Sequence, residues 1–425
     1  MKSIDYRKII AEICRIILGV TFLFSGTVKA IDPVGGAIKM EDYFNAFGFS
    51  FFNPIALFAS INLSAVEFVL GICIIMAVYR KLTTICMLAF MAFMTLLTLY
   101  LAIFNPVHDC GCFGEAIIIT NWQTFFKNVL ILFPASVVTF IYYKKLTPIY
   151  TYKVYWFAVL FGYFFSVGFS YYNYYNLPIM DFRPYKNGAN IPQLMSFPEG
   201  ALQDEYHFVY EKNGKKEAFT PETAPVDDPA WTFVESKLIK QGYVPPITSF
   251  ELYDKNEDNI AEEILAEENG VFLLIAPSLE KANEKNIDEI NNIYDYSVEN
   301  RLKFYCVTSS TIEGINAWIN NTGAEYPFLT ADDVTLKTII RSNPGLVLLK
   351  SGTILKKWHY NEIPSEKTAK DVIDGLLNPS GEKKDKEMSP WVLIVCCFTL
   401  PLLLVWIYDY FRNRRKSNSK EILSV

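Results

Sequence analysis

The stretch N-P-V-H-D-C-G-C-F-G-E-A-I-I-I-T-N-W-Q-T-F-F-K-N, Asn105 to Asn128, is a short polar loop with long apolar runs on both sides. It holds two cysteines one residue apart, Cys110 and Cys112. A thiol pair at the mouth of a helix bundle exchanges electrons, binds a metal or does neither. The rest of the chain has to decide which.

The chain has 425 residues, is 51% hydrophobic and has a mean hydropathy of +0.18. The apolar residues are clustered, which points to a membrane protein with a soluble part. A net charge of -6 and the lack of a basic, aromatic-interleaved patch exclude nucleic acid as a partner. Eight cysteines are too few for a disulfide scaffold in so long a chain. The N-terminus, M-K-S-I-D-Y-R-K, runs into an apolar segment without a small-residue cleavage site, as a retained anchor does.

A spanning helix needs about 20 apolar residues. Six segments qualify: Ile9 to Ala30, Ile55 to Val78, Leu82 to Phe104, Phe125 to Tyr143, Val154 to Tyr172 and Trp391 to Tyr408. Arg15 and Pro134 interrupt the first and fourth. Basic clusters flank these segments: Lys2, Arg7 and Lys8; Arg80 and Lys81; Lys144, Lys145 and Lys153; Arg412, Arg414, Arg415 and Lys416. With alternating helices all four fall on one side, which the positive-inside rule makes the cytoplasm. Both termini are then cytoplasmic, and the cysteine loop and the segment Asn173 to Ser389 lie on the opposite face. In a Gram-negative bacterium the membrane is the inner one and that face is the periplasm, where cysteine pairs are oxidised.

The divisions that follow are 1–145, a four-helix bundle carrying the cysteine loop; 146–175, a fifth helix; 176–246, a β-containing linker; 247–378, an α/β domain; 390–410, a sixth helix; and 411–425, a basic tail. Ile38, Tyr43, Phe44 and Phe47 suggest a short amphipathic helix between the first two spans, with interfacial packing favoured over a lid on the cysteine loop. Asn213-Gly214 reads as a hairpin turn. From Ile247 on, strands at Val271 to Ala276, Lys303 to Val307, Leu346 to Leu349 and Thr353 to Trp358 alternate with helices at Leu279 to Asn300, Thr311 to Asn320, Asp332 to Arg341 and Ser365 to Leu376.

Two resemblances follow. The run R-I-I-L-G-V-T-F-L-F-S-G-T-V-K-A-I-D-P resembles the opening helix of the DoxX/MauE group of four-helix membrane proteins, through Arg15, Gly19, Phe22, Gly26, Lys29, Asp32 and Pro33. Glu67 with Gly71 fits as well, and the C-G-C-F-G loop with Trp122 and Asn128 is similar to the MauE branch. That resemblance implies disulfide-forming chemistry in a bundle like those of vitamin K epoxide reductase and quinone-linked disulfide oxidases. From about Ile247 to Leu377 the chain resembles thioredoxin. R-S-N-P-G-L-V-L-L-K-S-G-T-I-L-K-K-W matches that fold's C-terminal half, with Pro344 in the place of its cis-proline. The position of the thioredoxin Cys-x-x-Cys reads A-P-S-L-E-K, Ala276 to Lys281, without a cysteine.

A Cys-Gly-Cys disulfide closes a small ring, and strained, exposed disulfides are the labile, catalytic kind. Metal binding through His108, Asp109, Cys110 and Cys112 stays open, although neighbouring ligands rarely complete a tetrahedron. So does a pair of unreactive packed thiols. Glu67 lies at a depth similar to the cysteine loop and is either a proton relay for thiol or quinone chemistry or the partner of Lys29 in a structural charge pair. Cys306 reads as core, with a mixed disulfide to the loop as the alternative. The expected function is thiol–disulfide exchange by Cys110 and Cys112 with a periplasmic thiol/disulfide protein, electrons leaving to a quinone. The rival is a membrane assembly protein whose α/β domain docks an envelope complex.

Overall fold

A computed structural model describes residues 5–202, 204–226, 228–240, 242–378 and 390–422. The charged linker at 379–389 and the tip of the basic tail lie outside the described residues. Six described helices are long and apolar enough to cross a bilayer: Tyr6–Ile31, Ser50–Met76, Arg80–Phe104, Asn121–Ile141, Tyr152–Tyr175 and Pro390–Arg414. A helix satisfies its own backbone hydrogen bonds, which lipid cannot do. The fourth span starts at Asn121 rather than Phe125, because Thr120 and Gln123 form a capping box that lets polar residues open the helix. Pro134 does not interrupt it. A wide turn over Asn128–Leu132 absorbs the missing N–H, and the helix resumes at Phe133.

Helix α1 (Tyr6–Ile31) crosses α3 (Ala56–Met76) at backbone contact. A Cβ on Gly26 would stand 2.6 Å from Phe68 N, and one on Gly71 would stand 2.9 Å from Leu23 Cα. Small residues at such a crossing are the usual way for membrane helices to approach closely. The crossing aims Ser25 and Lys29 at Glu67. Between these helices α2 (Pro33–Ala46) starts at an Asp32 cap, whose Oδ1 accepts from Gly35 N at 2.8 Å, with proline in the first turn.

The extramembrane part holds two sheets. β1 (Glu205–Lys212), β2 (Lys215–Phe219) and β3 (Thr232–Lys240) form a three-stranded antiparallel sheet in the order β2-β1-β3. Asn213 and Gly214, both at positive φ, make its turn. The second sheet takes the order β6-β5-β4-β7-β8 from β4 (Val271–Ala276), β5 (Lys303–Thr308), β6 (Phe328–Thr330), β7 (Gly345–Lys350) and β8 (Thr353–His359). β4 pairs parallel with β5 and antiparallel with β7, which is the thioredoxin-like arrangement. β4 is buried on both sides, hence its unbroken apolar run. Phe272 and Leu274 face the helices Ile287–Glu299, Ile312–Thr322 and Glu366–Leu377; Leu273 and Ile275 face Asp333–Ile339 and the chain around Phe250. The peptide bond before Pro344 is cis.

Three elements differ from expectation. The helix expected from Leu279 is a single turn, Leu279–Lys281, followed by Ile287–Glu299, because Asn283 N turns aside to bond Asn343 O at 2.9 Å. β6 has three residues, too few to show a period. Arg341 lies beyond the helix Asp333–Ile339, not inside it.

The cysteine loop, α2 and the α/β domain gather at one end of the bundle. Arg80, Lys145 and Asp5 mark the other, where Lys145 Nζ meets Asp5 at 2.6 Å and Arg80 Nη1 donates to Leu146 O at 2.8 Å.

His359 closes β8 with only 2% of its surface exposed, and burial pushes its imidazole from the ordinary 6.5 down to about 4. Between those values the unfolded chain binds more protons than the folded one. Stability is therefore complete above pH 6.5 and declines as pH falls toward 4, by roughly 3 kcal/mol. Thermal unfolding of the α/β domain across that window should show the decline, and His359→Asn should flatten it.

Candidate functional site

Cys110 and Cys112 are joined in a disulfide, with Cα atoms 5.5 Å apart. The backbone between them needs Gly111. Its φ is +62°, and a Cβ there would stand 2.9 Å from Lys39 Cγ. Asp109 fixes the turn, its Oδ1 accepting from Gly111 N at 2.8 Å and its Oδ2 from Lys39 Nζ at 3.0 Å. Tyr43, one turn on from Lys39, donates its hydroxyl to Cys110 O at 2.9 Å. Helix α2 therefore covers the loop as a lid, where interfacial packing was the expectation. Cys110 is buried and Cys112 is partly accessible, so the pair does not stand exposed on the surface.

Glu67 and Lys29 come together directly beneath the loop. Lys29 Nζ lies 2.7 Å from both Glu67 oxygens; Glu67 is buried and Lys29 is largely so. Ser25 Oγ stands 2.7 Å from Glu67 Oε2, 2.5 Å from Cys112 O and 3.2 Å from Lys29 Nζ. A hydroxyl has one proton. Ser25 therefore donates either to Glu67 or to the Cys112 carbonyl, and it links the Lys29–Glu67 pair to the cysteine loop.

A cavity of about 360 Å³ opens under α2. Cys110, Cys112, Lys29, Glu67 and Asp109 give it polar points, while Tyr43, Phe44, Phe47, Phe90, Phe93 and Met94 make the wall aromatic and apolar. Its size and lining suit a planar, mostly apolar ligand with a few polar atoms. Cys112 also walls a second, smaller cavity of about 30 Å³ with Glu67, Asn128 and Lys127, whose Nζ sits 4.1 Å over the Phe113 ring. That volume suits a single water.

The metal reading loses its donors. The two sulfurs are bonded to each other, the His108 side chain is 94% exposed, and no cluster of three metal-ligating side chains occurs among the described residues. Cys306 sits in the sheet core opposite Leu274 and Phe328, where burial pushes its thiol well up. It belongs to a separate core cluster from the loop, so it does not share a disulfide with the pair.

Sequence reasoning missed the contact between domains. Arg341, two residues before the cis-proline peptide bond, reaches the membrane part. Its Nε and Nη2 lie 3.1 Å from Asp32 Oδ2, and Nη2 stands 3.8 Å from Glu115, just past the cysteine pair. Behind it Lys357 pairs with Asp181, and Arg183 Nε donates to Asp181 at 2.8 Å. Burial opposes the Asp181 charge, yet Arg183 and Lys357 outweigh it and hold the carboxyl below its usual range. Burial also pushes Lys357 down to about 8. Asp32 and Arg341 are 309 positions apart, so no local pattern announces them. Lys39 and Tyr43 were findable, being one turn apart on a helix that starts at Asp32.

Residues 7–141 match the family model of the methylamine utilisation protein MauE. Residues 204–241 match a domain of unknown function (DUF8463). No curated protein matches the chain. The solution structure of a candidate protein disulfide isomerase from Bacteroides thetaiotaomicron is 18% identical, and the match covers 30% of this chain and 85% of that one at a TM-score of 0.26. The chain is a multi-pass helical membrane protein with a MauE-type region, joined to an extramembrane α/β domain of thioredoxin-like topology.

Removing one member of a buried pair strands the other charge, at a cost of about 3–5 kcal/mol. Glu67→Leu or Lys29→Met alone should therefore lower the thermal midpoint of the detergent-solubilised chain. The double variant should recover most of the loss.

Proposed function

We propose, starting from a MauE-type membrane region coupled to a thioredoxin-like domain, that the chain is a membrane thiol–disulfide redox protein. One observation carries the reading: the Cys110–Cys112 disulfide walls an apolar cavity beside a buried Lys29–Glu67 pair. A partner dithiol approaches as a thiolate. Cys112 is the less buried residue of the two, so attack falls there, the Cys110–Cys112 bond breaks and Cys110 leaves as thiolate. The partner's second thiol displaces Cys112, releasing an oxidised partner and leaving the chain with two reduced cysteines.

The cavity then supplies the return step. Cys110 and Cys112 would give up two electrons and two protons as their disulfide re-forms, and a quinone held in this cavity would accept them as a quinol. Lys29 holds the Glu67 carboxylate in place, and Glu67 passes protons through Ser25 and the small cavity beside Cys112. The basic flanks argue that this site faces away from the cytoplasm, in a Gram-negative cell the periplasm, with the inner membrane as its home. On that face thiols are oxidised. The α/β domain, which lacks thiols at Ala276 to Lys281, orients partners instead of reacting with them. Its missing thiol pair also favours the rival reading, a membrane assembly protein whose loop disulfide is structural.

The two readings part on one assay. In vesicles containing the purified chain and a menaquinone analogue, a reduced dithiol peptide should drive quinone reduction, followed by absorbance. Cys110→Ser/Cys112→Ser should remove the protein-dependent rate, and Glu67→Gln should lower it by about 10². An unchanged rate in the double serine variant would support the assembly role.

A further inference from the structure

β3 runs along the edge of its sheet, paired with β1 on one side and with no described strand on the other. All nine of its residues are exposed, among them Phe233, Val234, Leu238 and Ile239. A long edge strand with apolar side chains is a template for another strand. The physical question is which strand fits it.

We infer that the edge pairs with β3 of a second copy of this chain, antiparallel and centred on Ser236, to make a continuous six-stranded sheet. The argument is the register. A two-fold axis through Ser236 sets Glu235 of each copy against Lys237 of the other, so two opposite-charge pairs form. The same axis sets Val234 against Leu238 twice. Neighbouring registers lose this match. Centring on Lys237 opposes lysine to lysine and Glu235 to Ile239. Centring on Glu235 opposes glutamate to glutamate and Phe233 to Lys237. A one-residue slip sets Glu235 against Leu238, or Val234 against Lys237.

The local geometry agrees. β3 keeps an unbroken register with β1 from Glu235 to Leu238, which includes both charged residues of the match, while two bulges leave Val234 and Ile239 without partners on β1. The regular stretch is therefore the one the axis passes through. Self-complementarity of this kind is what an isologous contact demands, since every contact occurs twice. The stretch 204–241 is also matched as a family of its own, so the sheet is a unit apart from the thioredoxin-like domain.

The full chain in detergent or native membranes tests this. Residues facing across a two-fold antiparallel pair have Cα atoms about 4.5–5.5 Å apart, within reach of a disulfide. Ser236→Cys should give an oxidant-dependent covalent dimer that the parent chain does not give. Val234→Cys and Leu238→Cys should each fail to cross-link alone and should cross-link to one another when differently tagged chains are mixed. Lys237→Glu and Glu235→Lys should each weaken the dimer at least ten-fold in mass photometry, and the combined exchange should restore it. These positions are exposed, so the variants fold. A chain that stays monomeric, or a dimer that ignores both charge reversals and gives no Ser236→Cys cross-link, would overturn the inference.

Discussion

The close crossing of α1 and α3 is the constraint on which the site depends. Gly26 and Gly71 let the two backbones touch, and only at that distance does Lys29 reach both oxygens of Glu67. A lone carboxylate or ammonium at this depth would be costly, and the pair with its Ser25 contact offsets the cost. Ser25 then reaches the Cys112 carbonyl, so the loop is tied to the helices from below. Lys39 and Tyr43 tie it from above. The disulfide is held between two sets of hydrogen bonds, with the cavity as the space those sets leave open.

The extramembrane domain joins this arrangement through charge rather than thiols. Asp32 both caps α2 and receives Arg341, so the helix that covers the cysteine loop and the domain above it share one carboxylate. Glu115 extends the same contact to the far side of the loop. The loop before the cis peptide bond at Pro344 is thus turned toward Asp32 and Glu115 of the membrane part.

Much of this was legible in the residues. The six spans follow from composition, because a bilayer accepts only long apolar runs with satisfied backbones. The buried strand at Val271 to Ala276 and the Asn213-Gly214 turn follow from local patterns. A Lys29–Glu67 charge pair was one of two readings of those residues, and the helix crossing is what brings it about. Arg341 could not be assigned, since a charged residue at a helix end is usually solvated and its partner is remote in sequence. The cavity was invisible for the same reason, being built from helices, lid and loop together. β6 is too short to show a period, and β3, exposed on every residue, lacks the alternation that marks a half-buried strand.

Differential alkylation of Cys110 and Cys112 in intact cells, read by mass spectrometry, bears most directly on the central claim. During growth with an oxidised quinone pool the two sulfurs should be recovered bonded to each other, and they should become alkylatable when reoxidation of that pool is blocked. Two thiols that are freely alkylated under oxidising growth, or a disulfide that never responds to the pool, would contradict it.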